Sequence, residues 1–414
     1  MKPSFDSNRR KLVIAAGISL LPLGGAVCGA ASGGVVTRDD GGAGASSSSG
    51  GLYPSYNTRP KAADASGMTR SATEIAARIK LGLNIGNTLE AIGGETAWGN
   101  PLISQALIDT AKAKGFDAIR LPCSWNQYAN AATAEISRTW LNRVKDVVQY
   151  CINADMYVVL NIHWDGGWLE NNVTPAAKDG VIAKQRAFWE QIATHLRDYD
   201  ERLVLASANE PNCETKQQME VLYAYHQAFI DTVRSTGGRN AYRTLVLQAP
   251  NTSIDNAAAL WYKMPVDSAT NRLMTEVHFY TPFQFALMTE DQSWGKMFYY
   301  WGKDYHSTVE PDRNTIWGEE DNVDQQMAIV KRLFTDAGVP VILGEYGAII
   351  RSTPKDLERH LASRVHWLKY VTQKALANGL LPFLWDTGGL IDRNTQAILD
   401  PRGLDAVLSG AGKI

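Results

Sequence analysis

The sequence predicts an α/β protein whose folded part is one (β/α)8 barrel, a TIM barrel, preceded by a signal peptide and a flexible linker. Three observations carry the prediction. Eight short apolar runs recur from about Met68 onward, each closing in polar or Gly/Pro residues. A helical pattern follows each run. The runs are apolar with little alternation, as in parallel strands covered on both faces. Over roughly 340 residues this order fits a single, somewhat enlarged barrel. A doubly wound open sheet is the rival, and it would gather the strand-end residues in a crevice instead of a ring.

Residues 1–30 stand outside the fold. Asn8-Arg9-Arg10-Lys11 precedes the apolar stretch 12–23, and small residues follow to Ala31, which is the order of a secretory signal. The stretch is about half the roughly 20 residues a membrane span needs. Arg9-Arg10 fits a twin-arginine export signal and also a general secretory one. Cleavage after Ala30 would put small residues, Cys28 and Ala30, at the −3 and −1 positions. Lipidation of Cys28 is the competing outcome, which Val27 before it suits poorly. Residues 31–66 follow as a Gly/Ser-rich linker, with Gly41-Gly42-Ala43-Gly44-Ala45-Ser46-Ser47-Ser48-Ser49-Gly50-Gly51 at its centre; such a run buries almost nothing. The barrel is expected over 67–414. The chain is expected to be secreted, periplasmic or at the cell surface.

The eight runs are 81–84, 118–121, 157–162, 203–208, 244–248, 273–278, 341–345 and 382–385. Between them, 139–154 places Trp140, Val144, Val147, Val148 and Cys151 on one helical face. Residues 322–337 do the same with Met327, Val330, Leu333 and Phe334, and Gly338 stops the pattern before Pro340. The connection 279–321 is far longer than the roughly 2–6 residues of an ordinary βα loop. It carries Trp294, Tyr299, Tyr300, Trp301, Tyr305 and Trp317, and is expected to wall one side of a cleft, the alternative being a helical hairpin packed on the barrel exterior.

Composition removes several classes of function. The 414 residues hold 41 basic and 43 acidic side chains, a net charge of −2, so the electrostatic case for a nucleic-acid partner is missing. Four cysteines without a C-x-x-C pair are too few to staple such a chain, and Cys123, Cys151 and Cys213 leave at least one free thiol. No His-x-His, His-Glu-x-x-His, Gly-x-Ser-x-Gly or phosphate-loop pattern occurs. His195, His226, His360 and His366 fall in helical stretches and read as surface or packing residues, as do Trp140 and Trp189. No metal, no cofactor and no obligate protein partner is expected, and a monomer is the default.

The strand ends are where the chemistry should lie, because active sites of (β/α)8 barrels sit at the C-terminal ends of the strands. Those ends supply Asn84, Arg120, His163, Asn209 with Glu210, His278 with Tyr280, Glu345 and Trp385. All are hydrogen-bonding or aromatic. One Glu at a strand end often caps a helix or joins a surface ion pair. Two, on the fourth and seventh strands, face each other across the barrel mouth. Paired carboxyls astride a bond are what glycoside hydrolysis needs, one to protonate the leaving oxygen and one to attack or to activate water.

These residues stand in motifs. Asn84-Ile85-Gly86-Asn87-Thr88-Leu89, Glu95-Thr96-Ala97-Trp98-Gly99-Asn100-Pro101, Ile119-Arg120-Leu121-Pro122, Asn161-Ile162-His163, Asn209-Glu210-Pro211, His278-Phe279-Tyr280, Gly344-Glu345-Tyr346-Gly347 and Trp385-Asp386, in this order, resemble glycoside hydrolase family 5, the cellulase-type family. The resemblance implies a retaining endo-β-1,4-glucanase acting on internal bonds of cellulose, mixed-linkage β-glucan or xyloglucan. Glu210 would be the acid/base and Glu345 the nucleophile. Arg120 would sit beside Glu345, Asn209 would bond the sugar 2-OH, His163, His278 and Tyr280 would orient carboxyls and sugar, and Trp385 would floor the subsite of the attacked sugar. An endo-β-1,4-mannanase is the nearest alternative. A carbohydrate-binding protein without turnover is disfavoured by the presence of both carboxyls.

Two features depart from the family pattern: Trp164 stands where many relatives carry a second His, and Glu90 where Asp is frequent. Trp98, Trp125, Trp164 and Trp168 follow the first three strands, close to the expected rim, and flat aromatics stack on pyranose faces. Of these, Trp98 and Trp168 are the expected substrate contacts, with Asn84 as a further polar one.

Overall fold

In the computed structural model, residues 51–414 are described. The expected signal peptide 1–30, Cys28 and the linker up to residue 50 lie outside the described residues. Eight parallel strands close into a barrel: β1 Gly82–Ile85, β2 Ala118–Leu121, β3 Tyr157–Asn161, β4 Leu203–Ala206, β5 Leu245–Gln248, β6 Leu273–Phe279, β7 Val341–Tyr346 and β8 Leu380–Asp386. The barrel helices are α1 Gln105–Ala113, α2 Arg138–Asn153, α3 Lys178–Leu196, α4 Lys216–Ser235, α5 Ile254–Leu260, α6 Glu320–Leu333, α7 Leu357–Ala377 and α8 Pro401–Gly410. β8 pairs with both β7 and β1, which closes the ring and excludes the open sheet. Among the described residues, no helix is long and apolar enough to cross a membrane.

Alternation along the strands builds two cores. One set of positions, including Leu83, Ile119, Val158, Leu160, Leu205, Leu247, Val277 and Leu343, packs with helix residues such as Val144, Phe188, Phe229 and Trp367. The opposite set, Ala118, Val159, Val204, Val246, Met274, Ile342 and Phe383, fills the barrel interior together with Ala72, Ile75 and Ile79. Ala72 and Ile75 belong to a short helix, Ala72–Ala76, with a Ser71 capping box. Going up the interior, the apolar layer gives way to Asn84, Arg120, Asn161, Gln248 and Glu276, all buried. The site is built on that polar layer.

Most expected boundaries hold to within a residue or two. β8 begins earlier than 382 because Pro382 lies inside it, at a register irregularity against β7 where a missing N–H is tolerated. The helix expected to Ala337 ends at Leu333 and tightens into a 3-10 turn, with Gly338 left-handed at φ 78°. Cys123, Cys151 and Cys213 are buried free thiols.

Two expectations are corrected. The linker does not extend to residue 66. Ser55 Oγ and the Tyr56 and Asn57 amides donate to the Glu190 carboxylate on α3, and Tyr56 Oη donates to Thr133 O at 2.7 Å. Lys61–Ala63 pairs in parallel with Gly237–Gly238. Backbone and carboxylate bonds hold this strap, with only Tyr53 and Tyr56 packed half-buried against the core, so composition does not reveal it. The long connection after β6 also differs from expectation. Tyr299, Tyr300 and Trp301 are buried. The Trp301 amide donates to Ser363 Oγ of α7, its indole N–H donates to Gly318 O at 2.7 Å, and His360 of α7 bonds Tyr299 O at 2.7 Å. These rings pack the insertion onto the barrel and do not face a cleft; Trp317 is exposed.

Replacing Glu190 with Ala should cost about 1–2 kcal/mol in urea unfolding, since it strips a carboxylate from three donors. Limited proteolysis should then cut within 52–60 well before the native protein is cut there.

Candidate active site

The deepest polar residue organises the others. Arg120 of β2 is 0 % exposed. Its Nη1 donates to Asn84 Oδ1 and Glu345 Oε1, both at 2.9 Å. Its Nη2 donates to Asn209 Oδ1 at 2.7 Å and pairs with Glu276 Oε1 at 2.9 Å. Burial works against the guanidinium charge, and Glu276 and Glu345 outweigh it, so the cation is held. Asn84 turns its amide to the carbonyls of Gly344, Phe383 and Leu384. Expected as a substrate contact, it is instead fully buried, a brace between β1, β7 and β8. Arg120 likewise lies under the floor and acts through Glu345.

Above Arg120 the carboxyls are joined by His278 of β6. Its Nδ1 lies 2.8 Å from Glu210 Oε1 and 3.7 Å from Glu345 Oε2, and its Nε2 lies 3.1 Å from Glu276 Oε1. Burial opposes the imidazolium, but Glu345, Glu210 and Glu276 prevail and push its pKa up to about 10. His163 is the counter-example. Burial and the Arg120 charge hold it well below the ordinary histidine range, so it is neutral. Glu276 also accepts from Gln248 Nε2 at 2.7 Å; burial alone would raise its pKa, and Arg120 and His278 bring it below the usual value. Tyr280 Oη donates to Glu345 Oε2 at 3.1 Å. Burial raises the Glu345 pKa, against the pull of His278 and Arg120.

Glu345 reaches this place by a one-residue irregularity. Val277 of β6 is opposite Leu343, yet His278 is opposite Glu345, so Gly344 is an extra residue, a β-bulge. Were Gly344 paired as an ordinary residue, alternation from the inward Ile342 would send Glu345 outward to the helices. A Cβ on Gly344 would overlap Glu276 Oε1. Gly86 is the second position where bulk is barred, because a Cβ there would come 2.8 Å from the Trp385 ring. Trp385 thus lies flat over the end of β1, parallel to His163 with ring centroids 5.8 Å apart.

The loops complete the site with residues the sequence did not single out. Glu276 was read only as part of an apolar run. Its signal was available, since a lone carboxylate in a buried strand requires a partner. Thr252 Oγ1 lies 3.3 Å from Glu210 Oε1, on a turn where Asn251 and Thr252 both have positive φ. Glu170 accepts the Glu210 amide at 2.7 Å. Asp165 accepts from Ser124 Oγ, the Trp125 and Asn126 amides and the Trp168 indole N–H.

Of the expected rim tryptophans, Trp98 is 37 % exposed. Trp168 is half-buried, edge-on to Phe188 and under the Lys184 ammonium. Trp125 is fully buried, its indole donating to Asn161 O at 3.0 Å, and it does not belong to the rim. Among the described residues, Glu210, His278 and Glu345 are the one acidic/His group tight enough to hold a metal, with ligand atoms all within 4.8 Å of one another. The cationic Arg120 and His278 oppose a further cation there. Two carboxyls this close, one on a cationic floor, can share the work of cleaving an acetal.

The family model for cellulase (glycosyl hydrolase family 5) matches residues 84–389. The chain belongs to glycosyl hydrolase family 5. A curated relative within reach of this family 5 chain is the xyloglucan-specific endo-β-1,4-glucanase of Bacteroides ovatus, 36% identical over 376 residues, which cover 84% of this chain and 72% of the relative. Endoglucanase A of Paenibacillus barcinonensis is 33% identical, over 86% of this chain and 94% of the relative. Among solved structures, a Bacteroides ovatus family 5 xyloglucanase bound to a XXXG heptasaccharide aligns with a TM-score of 0.81 at 34% identity, over 87% and 81% of the two chains. A broad-specificity endoglucanase from Clostridium acetobutylicum aligns with a TM-score of 0.70 at 28% identity, over 82% and 99%. The family 5 chain is a glycoside hydrolase of the endo-β-1,4-glucanase type.

Two predictions follow from the geometry. His278 has a folded pKa raised from 6.5 to about 10, so the stability it contributes is fully present below pH 6.5 and is lost as pH rises through about 10. Nitrogen NMR should find the His278 ring still doubly protonated at pH 8, and urea midpoints should fall between pH 6.5 and 10. Gly344→Ala should destabilise by about 1–3 kcal/mol through overpacking and lower turnover far more than Gly338→Ala, as calorimetry and a reducing-sugar assay would read.

Proposed function

We propose that this enzyme hydrolyses internal β-1,4-glucosidic bonds of β-glucans with retention of anomeric configuration, xyloglucan foremost. One observation carries the retaining part. Glu210 and Glu345 oxygens approach within 4.8 Å, near the roughly 5–5.5 Å carboxyl separation of retaining glycosidases and short of the roughly 6.5–9.5 Å that leaves room for an inverting water. The xyloglucan preference rests on relatives described as xyloglucan-specific; cellulose and mixed-linkage glucan remain in the same reading because others are described as broad in specificity.

In the first step Glu345 attacks the anomeric carbon while Glu210 gives its proton to the departing oxygen. The charge balance favours this division. Arg120 and His278 are two cations facing Glu276, Glu345 and Glu210, so one carboxyl proton leaves the group neutral. The two cations hold Glu345 as the anion, with Tyr280 fixing its second oxygen. Asn209, whose Oδ1 is taken by Arg120, has its amide N–H groups left to meet a sugar hydroxyl. Once Glu345 is esterified its charge is gone, and Glu210, now ionised, draws the proton from the incoming water. Trp385 and His163 form a flat floor for the attacked sugar, and Trp98 and Trp168 lie further along the rim. Trp164, beside His163, bears on the choice between gluco- and manno-configured sugars.

We read the first 30 residues as an export signal, with Cys28 as a lesser candidate anchor, and the enzyme as a secreted or cell-surface monomer that needs only its polysaccharide.

Glu345→Gln should cut turnover by about 10³-fold or more while isothermal titration still registers oligosaccharide binding. Proton NMR of the first-formed product should show the β anomer; an α product would replace retention with inversion. A panel of soluble xyloglucan, mixed-linkage glucan and mannan should give the highest kcat/KM on xyloglucan.

A further inference from the structure

We propose that Glu170 is a positioning residue for the acid/base carboxyl, setting the orientation of Glu210 through its main chain; this rests on the assignment of Glu210 as acid/base. Glu170 is buried in the turn Glu170–Asn172 after β3. Its Oε1 accepts the Glu210 N–H at 2.7 Å, and its carbonyl accepts the Asn212 N–H at 2.9 Å. Asn212 Nδ2 donates to Asn171 Oδ1 at 2.7 Å. Three bonds therefore stitch the β3 loop to the acid and to the residue two places beyond it. The β5 loop grips the same segment from the other side, with the Asn251 N–H on Pro211 O at 2.9 Å and the Asn251 side chain on both backbone groups of Cys213. Glu210 follows β4, outside any regular element, so these two loops place its backbone, and His278 and Thr252 meet its carboxylate.

A carboxyl is an unusual choice for this task. The charged groups that bear on Glu170 are Glu210 after β4, His278 on β6 and Glu345 on β7. Burial pushes its pKa up to about 8, against the pull of the Glu210 amide. At pH 7 it is largely protonated, and its Oε1 accepts the Glu210 amide. Above pH 8 it becomes a negative charge behind Glu210 and favours the protonated acid. Glu170 thus fixes the direction of proton delivery and extends it into alkaline conditions.

The test uses leaving groups. Glycosylation of a 2,4-dinitrophenyl β-cellobioside needs no proton from an acid, whereas cello-oligosaccharides do. Glu170→Ala should lower kcat/KM on oligosaccharide by about tenfold or more, within the range of a general acid, and on the dinitrophenyl substrate by less than about threefold. An equal fall on both, or none on either, would overturn the proposal. Glu170→Gln keeps the acceptor and should fold even where Ala does not. Its alkaline limb of kcat/KM on oligosaccharide should move acidward by about half a pH unit or more; a native limb would also overturn it. Glu210→Ala is the control. If that variant fails to spare the dinitrophenyl substrate relative to oligosaccharide, the acid/base assignment falls, independently of Glu170.

Discussion

Arg120 carries the architecture of the site in one buried guanidinium. An ion without water costs several kcal/mol, and the cost is offset only where partners of opposite charge meet it in good geometry. Glu276 and Glu345 do so at 2.9 Å each, and Asn84 and Asn209 accept from the same two Nη groups. Every one of these partners comes from a different strand or strand end. The ion is satisfied only when β1, β2, β4, β6 and β7 stand in register, so the closure of the barrel and the placement of Glu345 are one event.

The two histidines at the mouth illustrate how neighbours, not residue type, set a charge state. His278 is surrounded by three carboxyls and keeps its proton. His163 meets Arg120 and the Trp385 face, and burial leaves it neutral. The first ties carboxyls together as a donor on both sides, and the second offers a flat, uncharged surface beside the Trp385 ring. Exchanging their surroundings would exchange their roles.

Much of this was legible in the chain. The strands were, because parallel barrel strands are apolar on both faces and their polar ends stand out; so were Glu210, Glu345, His278, Tyr280 and Trp385. Asn84 was placed correctly at a strand end, but its side chain faces carbonyls below, a direction no spacing encodes. Glu170 and Thr252 were not legible, since loop residues take their roles from which neighbouring loop they meet. Trp125 and Trp301 were misread for a related reason. Tryptophan is equally at home under a loop and along a groove, and only the path of the backbone decides. The strap at residues 55–64 escaped because backbone and carboxylate bonds hold most of it, with Tyr56 alone of these residues packed on the core.

The bulge at Gly344 has a consequence for how such a site could be lost. Side chains along a strand obey a parity, and the strand that bears Glu345 changes parity once, at a residue with no side chain of its own. Straightening the strand so that Gly344 paired as an ordinary residue would leave an apolar, well-covered strand that still closes the barrel, with the carboxylate now delivered to the helical layer. A folded barrel with that carboxylate misdirected is therefore one slip of register away, and its direction is held by arithmetic along the chain as much as by the identity of the acid.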